Sequence, residues 1–208
     1  MVLGGIYDMK FLIGCYNKSV ILTYVGIAFA IFGMMFVDNL KIALICLMAA
    51  GICDLFDGKI ARMCKRTEQE KEFGVQIDSL CDVISSLLFP TVILNQVGID
   101  YNISKYLIFG VSVLYVLAGI TRLAWFNITT TGKMTHFQGL PVTAITIILP
   151  LLFLIFKDFS SFGYIIVAGF IATAIAFVVN MPVKKPSGKG YIVLLSLAII
   201  ATVFVYLR

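Results

Sequence analysis

The chain has 208 residues, 61% of them hydrophobic, a mean hydropathy of +1.03 and a formal net charge of +5. Soluble domains hold an apolar share nearer one half, so the composition excludes an ordinary water-soluble domain and points to a helical membrane protein. Lipid-exposed strands have to close a barrel of short alternating segments, a pattern absent here, and the positive charge reads as topology and attraction to anionic headgroups, not as nucleic-acid binding.

The first 18 residues lack the basic start, apolar stretch and small-residue cleavage site of a signal peptide. They read as a cytoplasmic juxtamembrane segment, with an amphipathic helix lying on the surface over roughly 6–16. Beyond it the polar punctuation divides the chain into seven apolar segments, 19–37, 40–63, 75–97, 104–127, 139–156, 161–181 and 190–207, each near the ~20 residues a bilayer span requires. No internal repeat or low-complexity tract interrupts 1–208, which is expected to be one all-α, polytopic domain of six to seven spans. With the N-terminus inside, 12 basic residues fall on the cytoplasmic side against 4 outside (Lys41, Lys105, Lys157 and Arg208). The positive-inside rule therefore predicts a multi-pass cell-membrane protein whose second segment ends, and whose third begins, at the cytoplasm.

Those two segments carry the chemistry. Asp54, Asp57, Gly58, Ala61 and Arg62 are spaced i, i+3, i+4, i+7 and i+8, one face of a helix, and Gly74, Asp78 and Asp82 repeat the spacing at i, i+4 and i+8. If the helices lie side by side, four carboxylates converge in apolar surroundings, where like charges and burial both oppose ionisation and an intramembrane charge is costly unless it has a function. A divalent cation resolves the conflict. Mg²⁺, Mn²⁺ and Ca²⁺ favour carboxylate oxygens, and Mg²⁺ commonly shares its shell with substrate phosphates. Gly58 and Ala61 leave room at the backbone, and Arg62 offers a fork matched to phosphate. The pattern reads as a metal-dependent site for a diphosphate-containing substrate.

The pattern D-x-x-D-G-x-x-A-R…G-x-x-x-D-x-x-x-D resembles the signature of the CDP-alcohol phosphotransferases, integral membrane enzymes of phospholipid synthesis, at eight fixed positions. Eleven residues, 63–73, separate Arg62 from Gly74, about three more than is usual for the family. A longer loop between the helices is expected to absorb them. Downstream, Gly119-Ile-Thr-Arg122-Leu-Ala-Trp125-Phe126-Asn127 and Phe137-Gln-Gly139-Leu140-Pro141 resemble elements of the CDP-diacylglycerol–serine O-phosphatidyltransferases within that family. Trp125 stands where an arginine is usual.

The resemblance implies transfer of the phosphatidyl group from CDP-diacylglycerol to L-serine, giving phosphatidylserine and CMP. It further implies that Asp54, Asp57, Asp78 and Asp82 hold metal, two ions per site, with Asp82 alternatively acting as the catalytic base. Gly58, Ala61, Arg62 and Gly74 would contact the CDP moiety, and the enzyme would be a homodimer among membrane lipids. From the residues themselves, Arg122 near the inner end of the fourth segment can hold a serine carboxylate or lipid phosphate, pair with a motif aspartate, or snorkel. Asn127 can donate to an amino-acid substrate or cap its helix, Trp125 reads as an interface anchor, and Lys133, in the loop that follows, reads as a lipid-headgroup contact or topology signal, with the acceptor carboxylate as the alternative. His136 is expected to be a solvated loop residue. The five cysteines show no metal spacing and read as apolar packing residues. Rival readings are a sister enzyme with glycerol phosphate or inositol phosphate as acceptor, for which the basic residues are few, an ion-coupled transporter, for which the carboxylates crowd too far to one side, and a non-enzymatic scaffold, which would release no CMP.

Overall fold

The computed structural model describes residues 13–129, 136–184 and 188–207. Asn17 accepts hydrogen bonds from the amides of Ser19 and Val20 and so starts α1 (Lys18–Met35), and Asn39 caps α2 (Leu40–Met63) through the Ile42 amide. The two helices form a hairpin whose seam is lined by Gly26, Ala30 and Gly33 on α1. A Cβ at Gly26 would stand 3.1 Å from the Cβ of Cys53, and one at Gly33 would stand 2.7 Å from that of Cys46. Small residues at this spacing let two helices approach closely in a bilayer, where packing and not hydrophobic burial drives association.

α3 (Glu68–Asp82), a π-helical turn (Val83–Leu88) and α4 (Phe89–Asp100) run on as one rod. Tyr101 caps it, and Asn102, with φ of 52°, turns the chain into α5 (Lys105–Thr129). Two short strands, β1 (His136–Gln138) and β2 (Pro182–Lys184), pair antiparallel with His136 opposite Lys184. Between them lie a 3₁₀ turn (Val142–Ala144), α6 (Ile145–Phe156) and α7 (Phe162–Val178), and α8 (Gly188–Leu207) follows. Among the described residues, three segments, Lys18–Met35, Glu68–Asp100 and Lys105–Thr129, are long and apolar enough to cross a membrane by themselves, with shorter apolar helices at Val142–Phe156, Phe162–Val178 and Ala198–Leu207. The fold is an all-helical, multi-pass membrane bundle, its core built around the buried, mutually tilted rings of Tyr115, Phe170 and Phe177.

The seven expected segments correspond to the seven helical rods, with corrections at their ends. The longer connection after Arg62 is not a longer loop, because α3 begins at Glu68 and only 64–67 link it to α2. Thr67 and Glu70 form a reciprocal capping box, and Glu68 and Glu70 lie in the first turn, where acidic groups suit the helix dipole, so the extra residues add helix. The fifth segment starts at Val142 and not at 139, since Gly139 holds φ of 75° and Pro141 is extended. Of the expected surface helix over 6–16, only 13–16 lie among the described residues, and these are not helical.

Candidate active site

α2 runs unbroken through Asp54, Asp57, Gly58 and Ala61, which therefore share a face toward α3. One carboxylate oxygen from each of Asp54, Asp57 and Asp78 lies within 4.8 Å of the other two. Oxygens on opposite sides of a divalent cation at about 2.1–2.4 Å are separated by about 4.2–4.8 Å at most, so this set fits around one ion. Its donors are all hard oxygens, which suits Mg²⁺, Mn²⁺ or Ca²⁺ and not a thiophilic metal. Asp82, one turn further along α3, lines the same cleft but stands outside the three-oxygen set. The cleft is completed by Thr23, Gly26 and Ile27 of α1, Ala50 of α2, and Cys81 and Ser85.

Asp57 is the most buried of the four, 3% exposed, and the hydroxyl of Thr23 donates to its Oδ2 at 2.5 Å. That bond orients the carboxylate of Asp57 within the cleft. Thr23 escaped the sequence reading because a lone threonine in an apolar helix carries no motif. At the mouth, a Cβ on Gly58 would meet nothing within 4 Å, Ala61 is half-buried and Arg62 is exposed. Gly74 sits one turn before Asp78, with Nη1 of Arg66 laid against it, 3.3 Å from where a Cβ would stand. The Nε of Arg66 is buried and has no hydrogen-bond partner among the described residues.

Residues 16–205 match the model of the CDP-alcohol phosphatidyltransferase family. The chain belongs to that family. It is 31% identical over 152 residues to the archaetidylserine synthase of Methanothermobacter thermautotrophicus, covering 73% of this chain and 61% of that protein. It is 35% identical over 105 residues to the CDP-diacylglycerol–serine O-phosphatidyltransferase of Helicobacter pylori strain J99 (50% of this chain, 42% of that protein), and 33% identical over 119 residues to the enzyme of the same name in Saccharomyces cerevisiae (51% and 40%). The chain thus spans 40–61% of the length of these relatives.

The second half of this CDP-alcohol phosphatidyltransferase domain meets α3 through α5. Arg122 is 7% exposed, its Nε donates to the Leu140 carbonyl at 3.1 Å, and its guanidinium lies 4.9 Å above the ring of Phe126. A guanidinium this buried does not snorkel to the surface. Leu140 is placed by backbone bonds: Gly139 N to the Met181 carbonyl and Leu140 N to the Ala176 carbonyl, both 3.0 Å. Asn127 lies inside α5, not at its end, and exchanges hydrogen bonds with Ser79, the residue after Asp78 (2.8 and 3.2 Å). A helix cap is thereby excluded for Asn127, which instead ties α5 to α3. Trp125 is half-exposed, as an interface residue would be, and Lys133 lies outside the described residues. His136 falls in β1 and not in an irregular loop. All five cysteines are free thiols, and Cys46 and Cys53 are packing residues of the α1–α2 seam.

Proposed function

We propose that this domain transfers the phosphatidyl group of CDP-diacylglycerol to L-serine, in the cell membrane, with the N-terminus and cleft facing the cytoplasm. The observation that carries the reading is the convergence of Asp54, Asp57 and Asp78, each presenting an oxygen within 4.8 Å of the others, beneath a mouth open at Gly58. The names of the relatives supply the acceptor. Asp54, Asp57 and Asp78 would hold a divalent cation, Mg²⁺ or Mn²⁺, and Asp82, outside that three-oxygen set, is left as the base. When bound, the cation supplies charge neutralisation at the nonbridging phosphate oxygens and at the departing CMP.

Gly58, Ala61, Arg62 and Gly74 receive the CDP moiety at the mouth. A buried guanidinium donor without a partner is unfavourable by about 1–3 kcal/mol, so the unpaired Nε of Arg66 beside Gly74 also supports an anion there. Arg122, its Nε held by the Leu140 carbonyl, is assigned to the serine carboxylate, which its cation suits. Asn127 keeps Ser79 and the adjacent Asp78 in register, and Lys133 is assigned to the acceptor side from the sequence alone. In the reaction the serine hydroxyl oxygen bonds to the lipid-side phosphorus, the bond from that phosphorus to the CMP oxygen breaks with its electron pair leaving on CMP, and Asp82 takes the hydroxyl proton. The whole chain acts as one domain and pairs with a second copy, each carrying its own site.

A sister reaction with glycerol phosphate or inositol phosphate is the second reading. It calls for more cations beside Arg122 than the described residues provide. Product identification by mass spectrometry, with purified protein, CDP-diacylglycerol, Mn²⁺ and a panel of alcohols, tests both. Phosphatidylserine and CMP are expected; a product formed only from a phosphorylated alcohol refutes the assignment.

A further inference from the structure

The rod that carries Asp78 and Asp82 is not a uniform α-helix. Immediately after Asp82 it passes through the π-turn Val83–Leu88 before resuming as α4. In an unbroken α-helix each residue advances 100°, so Asp82, Phe89 and Ile93, separated by seven and eleven residues, would share one face. Phe89 is 0% and Ile93 1% exposed, and both belong to the apolar core. The acidic residues would then be phased with the apolar stripe. A π-turn takes up about one extra residue, which puts the helix before it out of phase with the helix after it by roughly 100°. Phe89, its ring seated at the α1–α2 seam beside Gly33, and the buried Ile93 fix the rotation of α4, and the turn sets the rotation of α3, and with it Asp78 and Asp82, relative to α4.

α5 grips the turn at two points. Tyr115, 0% exposed, donates its hydroxyl to the Ser86 carbonyl inside the turn at 2.8 Å. One helical turn along α5, Gly119 admits Leu87, whose side chain would collide with any Cβ there. Tyr115 is held in turn by the rings of Phe170 and Phe177, at 4.8 and 5.3 Å between centroids.

We propose that Tyr115 is a positioning residue: by holding the Ser86 carbonyl it keeps the π-turn in place, and the π-turn aims the carboxylates of α3 at those of α2. Gly119 is the second half of the same grip. The inference rests on the acidic cleft being the reaction centre, and it concerns how that cleft is assembled. Tyr115→Phe keeps the ring and its packing but leaves the carbonyl of a buried turn without its donor. The turn can then relax toward regular helix, rotating Asp78 away from Asp54 and Asp57.

The test is Mn²⁺ binding followed by electron paramagnetic resonance on the purified full chain in detergent, without substrate. Tyr115→Phe is expected to weaken Mn²⁺ binding about tenfold, with its thermal unfolding within a few degrees of wild type, a split that simple loss of packing does not produce. Should Tyr115→Phe not fold, Gly119→Ala and the double variant Gly119→Ala/Leu87→Ala take its place. Gly119→Ala is expected to weaken binding, and shortening Leu87 in the same chain to restore it to within about twofold. Wild-type affinity in Tyr115→Phe or in Gly119→Ala overturns the inference, as does a double variant no better than Gly119→Ala. If wild type makes no phosphatidylserine yet Tyr115→Phe loses Mn²⁺, the inference is supported and the acceptor assignment fails; if phosphatidylserine forms and Tyr115→Phe keeps its Mn²⁺, the inference fails alone.

Discussion

Replacing Gly139 with alanine should damage the reaction at a distance, through Arg122. Gly139 holds φ of 75°, and a Cβ there would stand 2.5 Å from the Phe177 carbonyl oxygen, about 1 Å inside van der Waals contact. That oxygen is helix backbone and yields little, so the 139–140 peptide moves instead. The left-handed conformation disfavours alanine by about 1 kcal/mol, and each of the two backbone bonds, Gly139 N to Met181 O and Leu140 N to Ala176 O, is worth about 1 kcal/mol. Those terms fall on stability. The functional term is the bond from Arg122 Nε to the Leu140 carbonyl, 3.1 Å in the structure, and a hydrogen bond to a charged group contributes about 1.5–3 kcal/mol. At about 1.4 kcal/mol per decade, the specificity constant for serine should fall roughly 10- to 100-fold. Initial rates over a serine series at fixed CDP-diacylglycerol in mixed micelles measure it, and Arg122→Lys, which keeps charge but lacks the guanidinium Nε, should reproduce most of the loss. A Gly139→Ala enzyme with wild-type serine kinetics would refute the chain of reasoning from backbone conformation to Arg122.

Asp57→Asn and Asp78→Asn each remove a charge from the three-oxygen set and should abolish transfer almost completely while leaving a folded protein that no longer binds Mn²⁺ in a direct titration; full activity in either, or in excess chelator, counts against the metal site. Arg66→Met should raise the KM for CDP-diacylglycerol roughly tenfold, the equivalent of about 1.4 kcal/mol, with the KM for serine little changed; equal shifts in both would place Arg66 outside the nucleotide mouth. Ethanolamine, which lacks the carboxylate that Arg122 is assigned to hold, should be a very poor acceptor even at high concentration in the same product assay, and comparable rates with serine and ethanolamine would sink the serine assignment.

The segments, the face shared by Asp54, Asp57 and Gly58, and the pairing of that face with Asp78 were legible because they follow from helical period and the cost of intramembrane charge. The start of α3 was legible too, in Thr67 and Glu70, but the charged run around them read as loop on composition. Three features were not accessible from the chain alone. The π-turn after Asp82 has no residue signature in Val-Ile-Ser-Ser-Leu-Leu and depends on α5 packing against it. Thr23 reaches Asp57 from 34 residues away, through a tertiary contact of α1. Arg122 appeared as a charge in search of an anion, whereas its Nε is held by a carbonyl 18 residues downstream, which only the approach of Gly139 to the end of α7 makes possible.

The close seam between α1 and α2 bears on how the chain enters the bilayer during synthesis. α2, with Lys41, Asp54, Asp57, Lys59 and Arg62, is not among the helices apolar enough to cross by themselves. A segment so charged is a weak passenger for lateral exit from a translocation channel. The glycines at 26 and 33 give it a companion made before it, so the pair partitions into lipid as a hairpin, with α1 supplying the hydrophobicity for both. The order of the helices along the chain is thereby also an order of assembly: an apolar escort first, the charged helix second, and the remaining carboxylates only when α3 follows.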